Sequence, residues 1–305
     1  MKLLHIGLCV QPAPFNGLQT AFIDVLGQEN YAEISTGEKD LNDKARQLFD
    51  SFKPDIVFMQ VQAPGIIAPE LVFHMSKSAK VINWTGDVRH QVPQWMIEIA
   101  PACVTSFSNL TDVNTMVNRG FNAKYLEIGY DPLRYTPEGE KKNVPEVVFM
   151  ANNYGRDYFP LSNFRADIVN KLTKHYGTRF GVFGNGWQMA KGNCNHSQPE
   201  ESAHYRGAKI AINCSHFNYS RYSSDRLLRI LGSGTFCLSH HYGFIEKDYT
   251  PTKHLDTFNN IEGLINKINY YLEHETQRVE IAKAGHELVL NRNTFKHYVR
   301  NILEL

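Results

Sequence analysis

The sequence lacks a dominant charge. It carries 32 Lys and Arg against 31 Asp and Glu, a net charge of +1. No global positive field therefore marks it as a nucleic-acid binder, although a local basic patch is compatible with this balance. It also lacks any apolar run approaching the roughly 18 residues that a membrane span requires. Met1 to Gly7 contain neither the apolar core nor the cleavage site of a signal peptide, so a soluble, cytoplasmic chain is expected. The five cysteines form no paired framework. Cys9, Cys103, Cys214 and Cys237 lie in apolar, strand-like runs and read as small buried residues. Cys194 stands in a segment too short for a metal site.

Other chemistries are missing too. None of the 13 histidines shows the His-x-x-x-His spacing of a zinc helix. There is no Asp-x-Asp to hold a divalent cation against a diphosphate, no P-loop and no Gly-x-Ser-x-Gly elbow. No bound metal is expected.

What is present is a globular balance, 42% hydrophobic and 21% charged, over 305 residues, enough for two ordinary domains. Short apolar runs alternate with helical stretches. In the first half the runs are Leu3–Val10, Ile56–Val61, Val81–Trp84, Ala102–Phe107 and Tyr125–Ile128, with helices predicted near 18–27, 40–52, 67–77, 92–99 and 109–119. Near-continuous apolar runs suit parallel strands buried on both faces. The pattern restarts with Val147–Met150, Phe180–Phe183, Ile210–Cys214 and Thr235–Leu238, and helices near 160–175, 199–207 and 223–232. Three amphipathic helices close the chain, the last with Phe295, Tyr298, Val299, Ile302 and Leu303 at helical spacing. Strand–helix–strand repetition predicts two Rossmann-like α/β domains with right-handed crossovers. The expected division is 1–130 and 131–305, with Gly129–Pro137 as linker and the final helix able to pack back on the first domain.

In open parallel sheets ligands sit beyond the carboxyl ends of the strands, so the loops there matter most. Ser223 or Ser224 can cap a helix whose first turn holds Arg226 beside Asp225, a geometry that favours an anion. An ordinary capped helix explains the same residues. Gly184 and Gly186 form a turn after a strand, letting backbone approach a ligand, with Trp187 placed to border a base or sugar. A plain strand-ending turn is the alternative. Asp87, flanked by Arg89 and His90, follows an apolar strand and is placed to act as general base. An Asp–Arg pair or a helix cap accounts for it equally. Gln11–Gly17 is a Gly-containing loop that opens a helix and is placed to face the donor phosphates or an acceptor; simple chain turning explains it as well.

Together, Gly129–Pro137, Val147–Asn152, Gly184–Trp187, Ser224–Arg226 with Gly232–Gly234, Tyr271–Glu275, Arg278, Ile281, Ala284–Gly285 and Asn293–Tyr298 resemble, in order and spacing, the CgeB-like branch of group 1 glycosyltransferases. The resemblance covers about residues 125 to 304. It implies the GT-B fold, with parallel sheets facing across a cleft, and metal-independent transfer of a hexose from a nucleotide diphosphate sugar, a UDP-sugar above all. It implies that Arg226 and Ser223–Ser224 hold the diphosphate, that Gly184–Trp187 border the base, and that Asn152, Asn153 and Arg156 face the cleft. Gly17 joins them on the donor side. Many retaining members carry two glutamates eight positions apart, and this chain has Arg221 and Arg229 there. That departure weakens a retaining mechanism without excluding it, opens an inverting route with Asp87 as base beside it, and also motivates a non-catalytic nucleotide-sugar-binding module. The acceptor stays open between a carbohydrate, lipid or protein hydroxyl and a hydroxymethylated pyrimidine in DNA. For the last, His216–Tyr222 interleaves aromatic and basic residues.

Overall fold

A computed structural model describes residues 1–7, 17–192 and 200–305. Cys9, Cys194 and the loop Gln11–Asn16 lie outside the described residues. The chain divides into two units, Met1–Gly129 with Phe295–Leu305, and Tyr130–Thr294.

The first unit is a six-stranded parallel sheet. Its strands are β1 (Leu3–Gly7), β2 (Tyr31–Ser35), β3 (Ile56–Met59), β4 (Lys80–Thr85), β5 (Val104–Phe107) and β6 (Ala123–Tyr125), in the order β2-β1-β3-β4-β5-β6. The helices are α1 (Leu18–Leu26), α2 (Leu41–Phe52), α3 (Pro69–Met75), α4 (Gln94–Ile99) and α5 (Leu110–Asn118). The residues of β3 are all buried, which accounts for its unbroken apolar sequence. α2 lays Leu41, Ala45 and Phe49, each four apart, on the core. Asn109 caps α5, its Oδ1 accepting from the Asp112 N–H at 2.8 Å.

The second unit holds β7 (Val147–Met150), α6 (Ser162–Tyr176), β8 (Phe180–Phe183), α7 (Glu201–Gly207), β9 (Ile210–Asn213), α8 (Arg226–Gly232), β10 (Phe236–His240) and β11 (Asp256–Phe258). α9 (Ile261–Glu273) and α10 (Glu275–Leu290) follow. Its parallel sheet runs β11-β10-β9-β7-β8. The core combines Val147 and Phe149 of β7 with Ile168, Val169 and Leu172 of α6, and Phe236 packs on Tyr271 of α9. Residues 130–137 pack into this unit. The Tyr130 N–H donates to the Asn293 carbonyl at 2.9 Å, and Tyr130 and Tyr135 are buried.

The last helix, α11 (Phe295–Glu304), belongs to the first unit. Lys296 pairs with Asp24 of α1 at 2.8 Å, and the Tyr298 ring meets Phe58 and Trp84 edge-on. Among the described residues no helix is long and apolar enough to cross a membrane.

Two edge strands, β2 and β11, escape the apolar-run reading. Tyr-Ala-Glu-Ile-Ser in β2 is half-buried, and β11 has three residues. β6 lies two residues earlier than its apolar run suggests, because Leu126 to Ile128 continue as irregular backbone after the last paired residue.

Candidate functional site

In the second unit β7 comes first in the chain, yet β8 flanks it on one side and β9 on the other. Strand order therefore reverses between β7 and β9, and an open α/β sheet has its ligand crevice at the carboxyl ends of such a pair.

Two arginines occupy this place. Arg226, first residue of α8, donates from Nε to the Met150 carbonyl at 2.7 Å. Its Nη1 reaches the Cys214 carbonyl at 3.3 Å and Ser224 Oγ at 3.0 Å. Arg165, on α6, donates from Nη1 to the same Cys214 carbonyl and from Nη2 to the Asn152 carbonyl at 2.9 Å. Both guanidiniums lie over the Phe149 ring, 5.1 Å and 5.7 Å from its centroid. Both side chains are buried, and among the described residues neither pairs with a carboxylate. Burial, and then the charge of Arg226, push the Arg165 pKa down to about 9. Backbone carbonyls satisfy the donors without neutralising the charge, so the crevice holds two positive charges awaiting an anion. The sequence reading missed Arg165. Its signal is a cation on the apolar face of α6, in register with Ile168, Val169, Leu172 and Tyr176.

His216 adjoins the pair. Burial, then Arg165 and Arg226, push its pKa down to about 3. Its ring contacts Tyr154 and Phe159, and its buried Nδ1 has no hydrogen-bond partner among the described residues. Tyr154 and Tyr158 stack at 6.0 Å and remain more than half exposed.

The other expected residues fall differently. Neither Ser223 nor Ser224 caps α8. Asp225 precedes it without a side-chain cap bond, Ser223 Oγ donates to the Ser224 carbonyl, and Ser224 Oγ to Asn213 Oδ1. The Ser224 N–H is already bound to Ser215 Oγ at 2.9 Å. A seven-residue helix with these donors engaged adds little to anion binding, and the charge rests on the arginines.

Gly184 (φ +117°) and Gly186 (φ +82°) allow chain to meet chain. A Cβ on Gly184 would stand 2.6 Å from the Ala151 carbonyl oxygen, and one on Gly186 2.1 Å from that of Asn153. Asn152 Oδ1 accepts from the Asn185 N–H, and Asn153 Nδ2 donates to the Gly186 carbonyl, both at 3.0 Å. Trp187 donates its indole N–H to the Ala151 carbonyl and packs on the core. The turn thus fixes the loop that presents the Asn152 carbonyl to Arg165. Arg156 is exposed, 3.6 Å from Asp167.

Arg221 and Arg229, which stand where glutamates were expected from the resemblance, form ion pairs. Arg221 grips Asp248 in a fork at 2.9 and 2.7 Å. Arg229 is buried against Glu201 at 3.3 Å and Asp225 at 3.2 Å, and Glu201 also accepts from Tyr135 and Tyr205. In His216–Tyr222, Phe217 is buried and Arg221 is engaged with Asp248, so the segment does not offer a free alternation of aromatic and basic groups.

In the first unit, Asp87 follows β4 with its carboxylate 70% exposed. Arg89 holds this loop. Its Nη1 donates to the Asp87 carbonyl at 2.8 Å and to Thr85 Oγ1 at 3.3 Å, and its Nη2 to the Gln62 carbonyl. Nη2 also stands 3.7 Å from the Asp87 carboxylate. His90 is exposed on the same loop. Gly17 precedes α1, without a side-chain cap bond.

Residues 165–304 match the family model described as "Glycosyl transferase-like". No curated protein matches the chain. Among solved structures, Anabaena HepE in complex with UDP and glucose superposes with a TM-score of 0.67, at 10% identity, over 100% of this chain and 98% of that one. Sucrose-phosphate synthase from Thermosynechococcus elongatus gives 0.65 at 8% identity, and the lipopolysaccharide outer core galactosyltransferase WaaB 0.61 at 11%, each over 100% of this chain and 98% of its own. The chain has the GT-B fold. Its C-terminal segment is glycosyl transferase-like in sequence, and the arginine pair lies in the unit that contains most of that segment.

Proposed function

We propose that the chain is a glycosyltransferase of the CgeB-like branch of group 1, moving a hexosyl unit from a UDP-sugar to an acceptor hydroxyl without a divalent cation. The observation that carries this reading is the buried, uncompensated pair Arg165–Arg226 at the switch point of the second sheet. Two fixed guanidiniums supply the positive charge that a leaving diphosphate needs, in a site with little water to screen it. UDP and glucose in the HepE complex support this class of donor.

The first unit supplies the base. As the acceptor oxygen bonds to C1 of the sugar, its proton passes to the Asp87 carboxylate. The C1–O bond to the diphosphate breaks, and the electron pair leaves on the UDP oxygen facing Arg165 and Arg226. Arg89 fixes the Asp87 loop through backbone bonds and leaves the carboxylate exposed. This single displacement inverts the anomeric configuration.

The test is UDP release from UDP-sugars with chelator present, with product configuration read by NMR. Asp87→Asn is expected to lower turnover about 10²- to 10⁴-fold, the usual worth of a general base, with UDP affinity unchanged. Turnover that requires added Mg²⁺ or Mn²⁺ overturns the metal-free reading. A fully active Asp87→Asn enzyme with a retained product overturns the role of Asp87.

A further inference from the structure

At the other end of the second unit's sheet, where β9 and β10 begin, lies a groove of about 430 Å³. Lys209 and Thr235, the residues that immediately precede these strands, line it. The arginine pair stands at the carboxyl ends, so the groove is separate from that site.

Its lining is one-signed. Lys141, Arg206, Lys209, Arg278, Lys283 and His286 face it, and among the described residues no carboxylate does. α10 accounts for half of these, since Arg278, Ala282 and His286 repeat every four residues along one face, with Val279 and Lys283 beside them. Three cations have carboxylate partners outside the groove: Lys209 with Glu146 at 2.7 Å, Arg278 with Glu275 at 3.5 Å and Lys283 with Glu287 at 3.9 Å. Among the described residues Lys141 and Arg206 form no ion pair, although the Glu140 carboxylate is near enough to act on the Arg206 charge. Arg206 is held by neutral oxygens instead, Nε by the Glu140 carbonyl at 2.8 Å and Nη1 by the Thr136 carbonyl and Ser202 Oγ. Among the described residues its Nη2 has no hydrogen-bond partner, and the Nδ1 of His286 is buried without one.

A solvated lysine face is convex and needs no floor. This one is concave and floored by Phe236 and Ala282, both buried, with Val279 exposed at its edge. The volume falls in the small-molecule range of roughly 300–1,000 Å³. A fixed guanidinium, mobile ammonium groups and an apolar floor together match a compact phosphate ester. We propose that this groove binds a phosphate-bearing ligand, its anionic end on Lys141, Arg206 and Lys283 and its uncharged part on Phe236 and Ala282.

The test follows the His286 imidazole resonance by NMR, assigned through its loss in His286→Gln, while inorganic pyrophosphate is added to the full chain. A saturable shift is expected. In the double variant Lys141→Glu, Lys283→Glu, both side chains being exposed, apparent affinity falls at least about tenfold, since two attractive contacts become repulsive. Arg226→Met leaves the shift intact, which separates this groove from the donor site. A parallel sedimentation with phosphatidylserine vesicles identifies the source. Pelleting lost in the double variant assigns a lipid headgroup, and a pyrophosphate shift without pelleting assigns a soluble ester. A His286 signal that stays still up to about 10 mM pyrophosphate, well beyond ordinary ligand affinities, together with no pelleting overturns the proposal. So does a double variant that titrates and pellets as the wild type does.

Discussion

Arg226→Met separates a binding arginine from a structural one by the sign of two measurements. Both Nη1 atoms of the pair point at the Cys214 carbonyl oxygen. This places the two cations roughly 6 Å apart, where their repulsion at an effective dielectric constant of about 20 is about 3 kcal/mol. The substitution relieves that repulsion and keeps an apolar stem over Phe149. It also leaves the Met150 carbonyl without its guanidinium donor, a loss of about 1–3 kcal/mol for a buried polar group. The two effects nearly cancel, so stability in urea is expected to change by about 1 kcal/mol or less, as when buried charges give way to apolar isosteres. UDP loses a charge-assisted contact of about 1.5–3 kcal/mol, a factor of about 10 to 150 in Kd. Calorimetric titration with UDP at low and moderate salt, beside urea denaturation, reads both quantities. An unchanged Kd together with a stability loss above about 3 kcal/mol would refute the reasoning, because it would make Arg226 a structural donor to two carbonyls.

Gly186→Ala forces a Cβ to within 2.1 Å of the Asn153 carbonyl oxygen at φ +82°. It is expected to cost about 2–5 kcal/mol, combining left-handed strain with overpacking. Gly155→Ala, at φ +98° with no described residue within 4 Å of the new Cβ, carries only the strain, about 1–2 kcal/mol. Equal melting temperatures for the two variants would contradict the close-approach account. His5 is fully buried between Tyr31 and Gln60, and burial lowers its pKa to about 4. Since the unfolded chain protonates at about 6.5, this histidine contributes about 3 kcal/mol of stability above pH 6.5, lost as pH falls from 6.5 to 4. Urea denaturation of His5→Gln across that window should show a slope shallower by that amount, and an identical slope would remove His5 as the cause.

The sequence made the central strands legible for a simple reason. Strands such as β3 and β7 lie inside their sheets, buried on both faces, so every residue had to be apolar. β2 is a half-buried edge strand, and β11 has only three residues, of which Asp256 and Thr257 are polar, so neither carries that signal. Arg226 was visible because it follows a serine-rich turn and opens a helix. Arg165 was hidden inside a long amphipathic helix, where a single charge reads as surface until its apolar neighbours are counted. The arginines at 221 and 229 looked like lost glutamates. Asp248, the partner of Arg221, and Glu201, the buried partner of Arg229, lie 27 and 28 positions away, a distance that no local pattern spans; only Asp225, four residues before Arg229, is local. The glycines at 184 and 186 signalled close approach, and what approaches is the chain's own loop at Ala151–Asn153.

The arginine pair is the centre of the functional account, and a crystal of the chain soaked with UDP tests it most directly. The account predicts diphosphate oxygens within hydrogen-bond distance of both Arg165 and Arg226, at the carboxyl ends of β7 and β9. A diphosphate bound elsewhere, with both guanidiniums still facing only the backbone carbonyls, would contradict it.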